Sequence, residues 1–470
     1  MAAPCFSSGT VRRSLPVLSV ALFLAAPISH GAPEPAARSL TSKAQNPPDL
    51  PVAVNARLRW WQYDRFGLFI HWGPVALSGQ EISWSRANTN PNCPNNGPIP
   101  AAEYDNLYKR FDPEQFNAGE WARIAKDTGT RYVVLTAKHC DGFCLWPTKT
   151  YDYNISSTPF KRDVCGELDK AVHRAGLKMG WYYSPMDWRD PDCRTANNAA
   201  YLKIMQAQIK ELVTDYKTDL MWFDWDGGTI PWDQENTYEI VRSGHPNMIV
   251  DNRLDCDPAH PADRYIGPNA DYYTPEQTIG AYDDQRPWET CMTLGTQWSW
   301  KPNDTLKTTP EVIRILAQCV GGDGNLLLDV GPMPDGRIEP RQVDILMEVG
   351  KWVKAHGEAI YGTRGGPFKP GAWGVSTRKG KTIYVHVFDW SKGTVTLPAI
   401  DAKVVKARIV SGGPVAVDPA DPSGDCVVQK ADGVTIDVAA AHRDPADTII
   451  ALELDKPALS LPASSAPGSR

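Results

Sequence analysis

Two carboxylates set the chemical expectation. Asp224 closes the run Asp219-Leu220-Met221-Trp222-Phe223-Asp224 and stands between Trp222 and Trp225, while Glu289 lies in Arg286-Pro287-Trp288-Glu289-Thr290-Cys291. His71, Trp72, His139, Tyr182 or Tyr183, and Arg253 occur at the ends of other apolar runs. An acid pair on separate strands suits cleavage of a glycosidic bond. One acid attacks or stabilises the anomeric carbon, and the other protonates the departing oxygen. Tryptophans beside the acid suit a ring-shaped polar ligand. Blander readings are a strand-end Asp that caps the next helix, and an Arg253 that pairs only with Asp251 or Asp255.

Such groups need elements to position them. Tyr201, Ile204, Met205, Ile209, Leu212 and Val213 recur at helical spacing just before the apolar run that ends at Asp224. A helix feeding a buried strand is the repeat of an α/β barrel, whose chemistry sits at the C-terminal ends of the strands. Further strands are expected at 65–70, 132–137, 178–184, 248–253, 288–293 and 325–332, with helices at 117–128, 165–175 and 340–356. No eighth strand is evident. The polar stretch from Asn88 to Pro98 reads as a long loop at the barrel rim. After Tyr361 come β-branched runs at 382–388, 404–410 and 448–454, separated by Gly, Pro and Asp turns. They predict an antiparallel β-sandwich.

The fold class is therefore α/β: a distorted (β/α)8-like barrel over 53–362, followed by a C-terminal antiparallel β-sandwich over 363–460. Ahead of them lie a signal peptide (1–32) and a Pro/Ala/Ser-rich linker (33–52); a flexible tail (461–470) follows. Arg12 and Arg13 precede an apolar run from Ser14 to Ala26, too short to span a bilayer, with small residues near Gly31. The expected location is outside the cytoplasm, periplasmic or extracellular, with no membrane span.

Of 470 residues, 42% are hydrophobic and 22% charged, enough to bury a large core. A formal charge of −6 gives no reason to expect a nucleic-acid partner. Seventeen tryptophans suit stacking on sugars or plain packing. Cys93, Cys193, Cys256 and Cys426 lie in polar surroundings where disulfides could form, whereas Cys144, Cys291 and Cys319 read as buried thiols. No C-x-x-C pair occurs, and His71, His139 and Cys140 complete no familiar zinc spacing, so no metal and no cofactor are expected.

Arg65-Phe66-Gly67-Leu68-Phe69-Ile70-His71-Trp72-Gly73, Leu135-Thr136-Ala137-Lys138-His139-Cys140-Asp141-Gly142-Phe143, Trp222-Phe223-Asp224 and Gly324-Asn325-Leu326-Leu327-Leu328-Asp329-Val330-Gly331-Pro332 resemble the motifs of glycoside hydrolase family 29, the α-L-fucosidases. The likeness runs from about Trp60 to Gly362. It implies retaining hydrolysis of terminal α-L-fucosyl residues on oligosaccharides or glycoconjugates. Asp224 matches the nucleophile. His71, Trp84, His139, one of Tyr182 and Tyr183, Trp222 and Arg253 match the sugar pocket. Trp298 is assigned to the pocket wall as well, with core packing as its alternative, as for Trp300. Glu289 resembles the stretch that carries the acid/base, with Glu81 as second choice.

Two departures stand out. Cys140 replaces a histidine common in the family, and Ser83 precedes Trp84 where some members have an acid. Both bear on sugar preference more than on reaction type. Two rival functions remain: a non-catalytic fucose-binding protein on this scaffold, and a retaining glycosidase for a related sugar such as galactose.

Overall fold

The computed structural model describes residues 56–87, 97–224, 232–256, 260, 262–421 and 424–465. The signal-peptide and linker stretches, Cys93 with most of its loop, Trp225, Asp226 and residues 466–470 lie outside the described residues.

Seven parallel strands form a curled sheet: β1 (Phe66–Ile70), β2 (Tyr132–Lys138), β3 (Lys178–Tyr183), β4 (Leu220–Phe223), β5 (Ile249–Val250), β6 (Glu289–Thr293) and β7 (Asn325–Val330). Their order is β5-β4-β3-β2-β1-β7-β6. The apolar runs have the composition of strands buried on both faces, and β1, β2, β4, β5, β6 and β7 are buried at every residue. Alternation divides each strand. Phe66, Leu68 and Ile70 pack outward with the helices, whereas Phe69, Tyr132, Val134, Tyr182, Leu220, Trp222, Cys291 and Leu327 fill the interior. Gly67 is required there, because a Cβ would lie 2.3 Å from the Tyr132 ring.

The surrounding helices start on side-chain caps. Asn117 accepts from the Glu120 N–H ahead of Ala118–Thr128, and Asp163 accepts from Gly166 N–H ahead of Val164–Arg174. Asn117 thus caps its helix instead of opening it.

The place of an eighth strand is taken by an irregular segment. Asp271 N–H donates to Val250 O at 2.8 Å on one side, and Gln277 N–H donates to Cys291 O at 3.0 Å on the other. Parallel bridges join Asp251 with Tyr272, Tyr273 with Trp288, and Glu276 with Cys291, so this segment spans the gap between β5 and β6. Pro275 has no N–H to give a ladder, which keeps the segment from becoming a regular strand.

The second sheet holds β8 (Arg364–Gly365), β9 (Gly374–Lys379), β10 (Thr382–Val387), β11 (Thr394–Pro398), β12 (Val404–Ile409), β13 (Pro414–Val417), β14 (Cys426–Lys430), β15 (Gly433–Asp437) and β16 (Thr448–Leu454). It is antiparallel apart from the short parallel pair β13–β14, so the expected all-antiparallel sandwich is a mixed one. The helix Thr309–Gly321 carries β9: a Cβ on Gly321 would lie 2.4 Å from Val375 Cβ. Asp323 ties the two parts together by accepting from Arg65 at the start of β1 and from Arg364 in β8. Cys193, expected in a disulfide-prone loop, is buried as a free thiol. Cys256 and Cys426 are buried as well.

Candidate active site

A cavity of about 640 Å³ opens at the C-terminal ends of the barrel strands, where a parallel barrel leaves loops free to carry chemistry. Of the residues singled out from sequence, His71, Trp84, His139, Tyr182, Trp222, Asp224, Arg253 and Trp298 line it. Tyr183, Glu289, Glu81 and Cys140 do not.

Asp224 is the first residue beyond β4, and alternation turns its side chain the same way as Leu220 and Trp222. One carboxylate oxygen accepts from Tyr182 Oη at 2.5 Å and the other from Arg253 Nη1 at 2.6 Å. Burial would raise the carboxyl, but Arg253 and the Tyr182 hydroxyl outweigh it and hold Asp224 below the ordinary carboxylate range. Its side chain keeps 25% exposure, open to a ligand.

Arg253 sits in the turn after β5. Its Nε donates to Thr274 Oγ1 at 2.9 Å, which fixes the plane of the guanidinium. The same Nη1 that reaches Asp224 lies 2.8 Å from Glu276 Oε2. Two carboxylate oxygens therefore flank one nitrogen and can be no further apart than the two contacts laid end to end. The two groups are therefore close together, as in a retaining pair (~5–5.5 Å) and unlike an inverting one (~6.5–9.5 Å), which must leave room for a water. Glu276 is 43% exposed, lines the cavity and rides on the irregular eighth segment. Sequence reasoning missed it, because Tyr273-Thr274-Pro275-Glu276 carries no strand periodicity. The unfilled eighth place in the barrel was the signal that could have found it.

Glu289 is elsewhere, and the pairing expected from sequence is not found. It is the first residue of β6, not a residue at that strand's exit, and its side chain is fully buried inside the barrel. Trp61 Nε1 donates to it at 3.1 Å, Trp222 Nε1 at 3.3 Å, and the Tyr132 hydroxyl also donates. Burial pushes the Glu289 carboxyl up to about 7 against those hydrogen bonds. With every outlet taken by indole and phenol donors, it cannot hand a proton to a ligand in the cavity. Cys291, two residues further along the same face, is the level of β6 that reaches the cavity wall.

Glu81 is occupied too. Its carboxylate accepts from Trp298 N–H at 2.9 Å and Ser299 N–H at 3.2 Å, and so holds the loop that presents Trp298. Trp298 stands 4.8 Å from the His71 ring as pocket wall. Trp300 does not line the cavity.

The tyrosine pair is resolved by strand alternation. Tyr182 faces inward, stacked between His139 (5.1 Å) and Trp222 (5.7 Å), and Arg253 lies 4.7 Å from the Trp222 ring. Tyr183 points out among the helices and donates to Gln208 Oε1 at 2.7 Å. His71 is held by Asp329, Nδ1 to Oδ1, at 2.7 Å. Burial, with the neighbouring His71 adding to it, lowers His139 to about 3 and keeps that ring neutral. The Cys140 thiol is buried 3.1 Å from Ser184 Oγ, behind the cavity wall.

The arrangement offers an ionised carboxylate, an exposed second carboxylate close beside it, and a column of rings that can flank a sugar. A family model described as alpha-L-fucosidase matches residues 36–358. The alpha-L-fucosidase of Dictyostelium discoideum is 30% identical over 369 residues, covering 70% of this chain and 77% of that one. Among solved structures, alpha-L-fucosidase isoenzyme 1 from Paenibacillus thiaminolyticus superposes with a TM-score of 0.75 at 32% identity, over 85% of this chain and 99% of that one. An alpha-L-fucosidase from Bacteroides thetaiotaomicron, trapped as a covalent intermediate with 2-fluoro-fucosyl fluoride, superposes with a TM-score of 0.72 at 27% identity, over 85% and 96% of the two chains.

Proposed function

The chain belongs to the alpha-L-fucosidase family of glycoside hydrolases, and from that premise we propose that it hydrolyses terminal α-L-fucosyl residues with Asp224 as nucleophile and Glu276 as acid/base. The observation that carries this reading is the shared Arg253 Nη1, which holds the two carboxylates close together, as a retaining pair requires.

In the first step Asp224 attacks C1 of the sugar and Glu276 gives its proton to the departing oxygen. Tyr182 and Arg253 keep Asp224 ionised and aim it. Once the aspartate is esterified, that charge is gone and Arg253 is left with Glu276 alone. Glu276, left as a carboxylate by the first step, takes a proton from the attacking water. Phe69 and Trp222 supply apolar surface suited to the C6 methyl of fucose, while His71, His139 and Arg253 supply hydrogen bonds for its hydroxyls.

The reading includes export, on the strength of the Arg12-Arg13 and Ser14–Ala26 pattern. N-terminal sequencing of secreted protein should begin near Gly31 or Ala32; an intact Met1 on active exported enzyme contradicts it. For the chemistry, an aryl α-L-fucoside is hydrolysed in an NMR tube. The first anomer released is expected to be α, and a first-formed β anomer contradicts retention.

A further inference from the structure

We propose that Ser83 is a positioning residue: it holds His139 in the tautomer protonated on Nε2, so that the pocket offers a hydrogen-bond donor, and no acceptor, at that point. The identity of the sugar rests on the proposed fucosidase activity, but the tautomer does not.

The assignment follows from accounting for each proton. Ser83 is fully buried, and its Oγ lies 2.6 Å from His139 Nδ1 and 2.9 Å from the Asp141 N–H. The amide can only donate, so the hydroxyl oxygen accepts there. The hydroxyl proton then has one acceptor among the described residues, His139 Nδ1. A buried donor left unpaired is costly, so Nδ1 accepts and the ring carries its proton on Nε2. That nitrogen has no hydrogen-bond partner among the described residues, and the ring lines the cavity.

Ser83 is built into place for this task. Its backbone lies in the left-handed region at φ 56°, which a non-glycine residue rarely adopts without cause. Its N–H donates to Tyr104 Oη at 2.8 Å, and Tyr104 Oη donates to Asp141 Oδ2 at 2.6 Å. Asp141 N–H then returns to Ser83 Oγ, closing a ring in which every donor has one direction. His71 next door is set the other way. The Asp329 carboxylate keeps a proton on its Nδ1, so that nitrogen donates where the Nδ1 of His139 accepts. One sugar oxygen must therefore accept from His139.

The test uses the full enzyme labelled with 15N-histidine, free of ligand, with the His139 resonances assigned by their loss in His139→Gln. Wild type is expected to show a proton on Nε2 and a bare Nδ1. Ser83→Ala and Ser83→Gly should both lose that preference and populate both tautomers; glycine suits the left-handed backbone and guards against misfolding of the alanine variant. In both variants KM for an aryl α-L-fucoside should rise about tenfold, the loss of one hydrogen bond, with kcat changed far less. A wild-type His139 protonated on Nδ1, or variants that keep the Nε2 proton, overturns the proposal. Failure of wild type to cleave fucosides would sink the proposed activity and leave the tautomer result standing.

Discussion

Asp224 and Glu276 lean on one nitrogen: Arg253 Nη1 is 2.6 Å from an oxygen of the first and 2.8 Å from an oxygen of the second. The guanidinium stabilises the charge on Asp224, holds the two carboxylates close together and links β5 to the segment that completes the barrel.

Replacing Arg253 with methionine removes the main force holding the Asp224 carboxyl below its ordinary range. A carboxyl lowered in the folded enzyme stays ionised until pH falls through that lowered value. Without the arginine it protonates sooner on the way down. The acid limb of kcat/KM should therefore move to higher pH in Arg253→Met, measured with an aryl α-L-fucoside. An unmoved acid limb with an intact fold would remove Arg253 from this role.

Tyr182 and Tyr183 are adjacent in sequence and opposite in consequence. Tyr182→Phe deletes the hydrogen bond to Asp224 and should lower kcat. Tyr183→Phe deletes a buried bond to Gln208 on the helix side of the strand and should cost about 1 kcal/mol of stability with little change in kcat. Thermal melts and steady-state kinetics on both variants separate the roles.

Glu289 should act through stability. Its carboxyl is raised in the folded state from 4.5 to about 7, so between those values the native protein binds the proton that the unfolded chain has released. Stability then falls as pH climbs from about 4.5 to about 7 and levels off above, by up to ~3 kcal/mol from this group. Glu289→Gln, neutral at every pH, should flatten that part of the curve. Urea melts of wild type and variant across pH 4 to 8 test it; parallel curves would show that folding does not shift the Glu289 carboxyl.

Much of the fold was legible because burial leaves a direct mark. The runs at Phe66–Ile70, Tyr132–Lys138 and Asn325–Val330 are apolar on both faces, and few elements other than a barrel strand need that. Asp224 was legible for the same reason: the apolar run stops there and an acid follows. Glu289 misled because a tryptophan and an acid beside a strand look alike at either end. Only register shows that it enters the sheet opposite Asn325, at the start of both strands. Glu276 was hidden because Pro275 breaks the alternation by which strands are recognised. The choice of Tyr182 over Tyr183 needed the absolute phase of β3, which a run of aromatic residues does not reveal.

The central claim is that the proton comes from Glu276. Glu276→Ala and Glu289→Ala can be compared on aryl α-L-fucosides with good and poor leaving groups, with and without azide. The Glu276 variant should lose about 10²–10⁴-fold on the poor leaving group, lose little on the good one, and regain turnover with azide as a fucosyl azide product. The Glu289 variant, where folded, should show no dependence on leaving group and no azide rescue. The reverse pattern, rescue at position 289 and none at 276, would contradict the account.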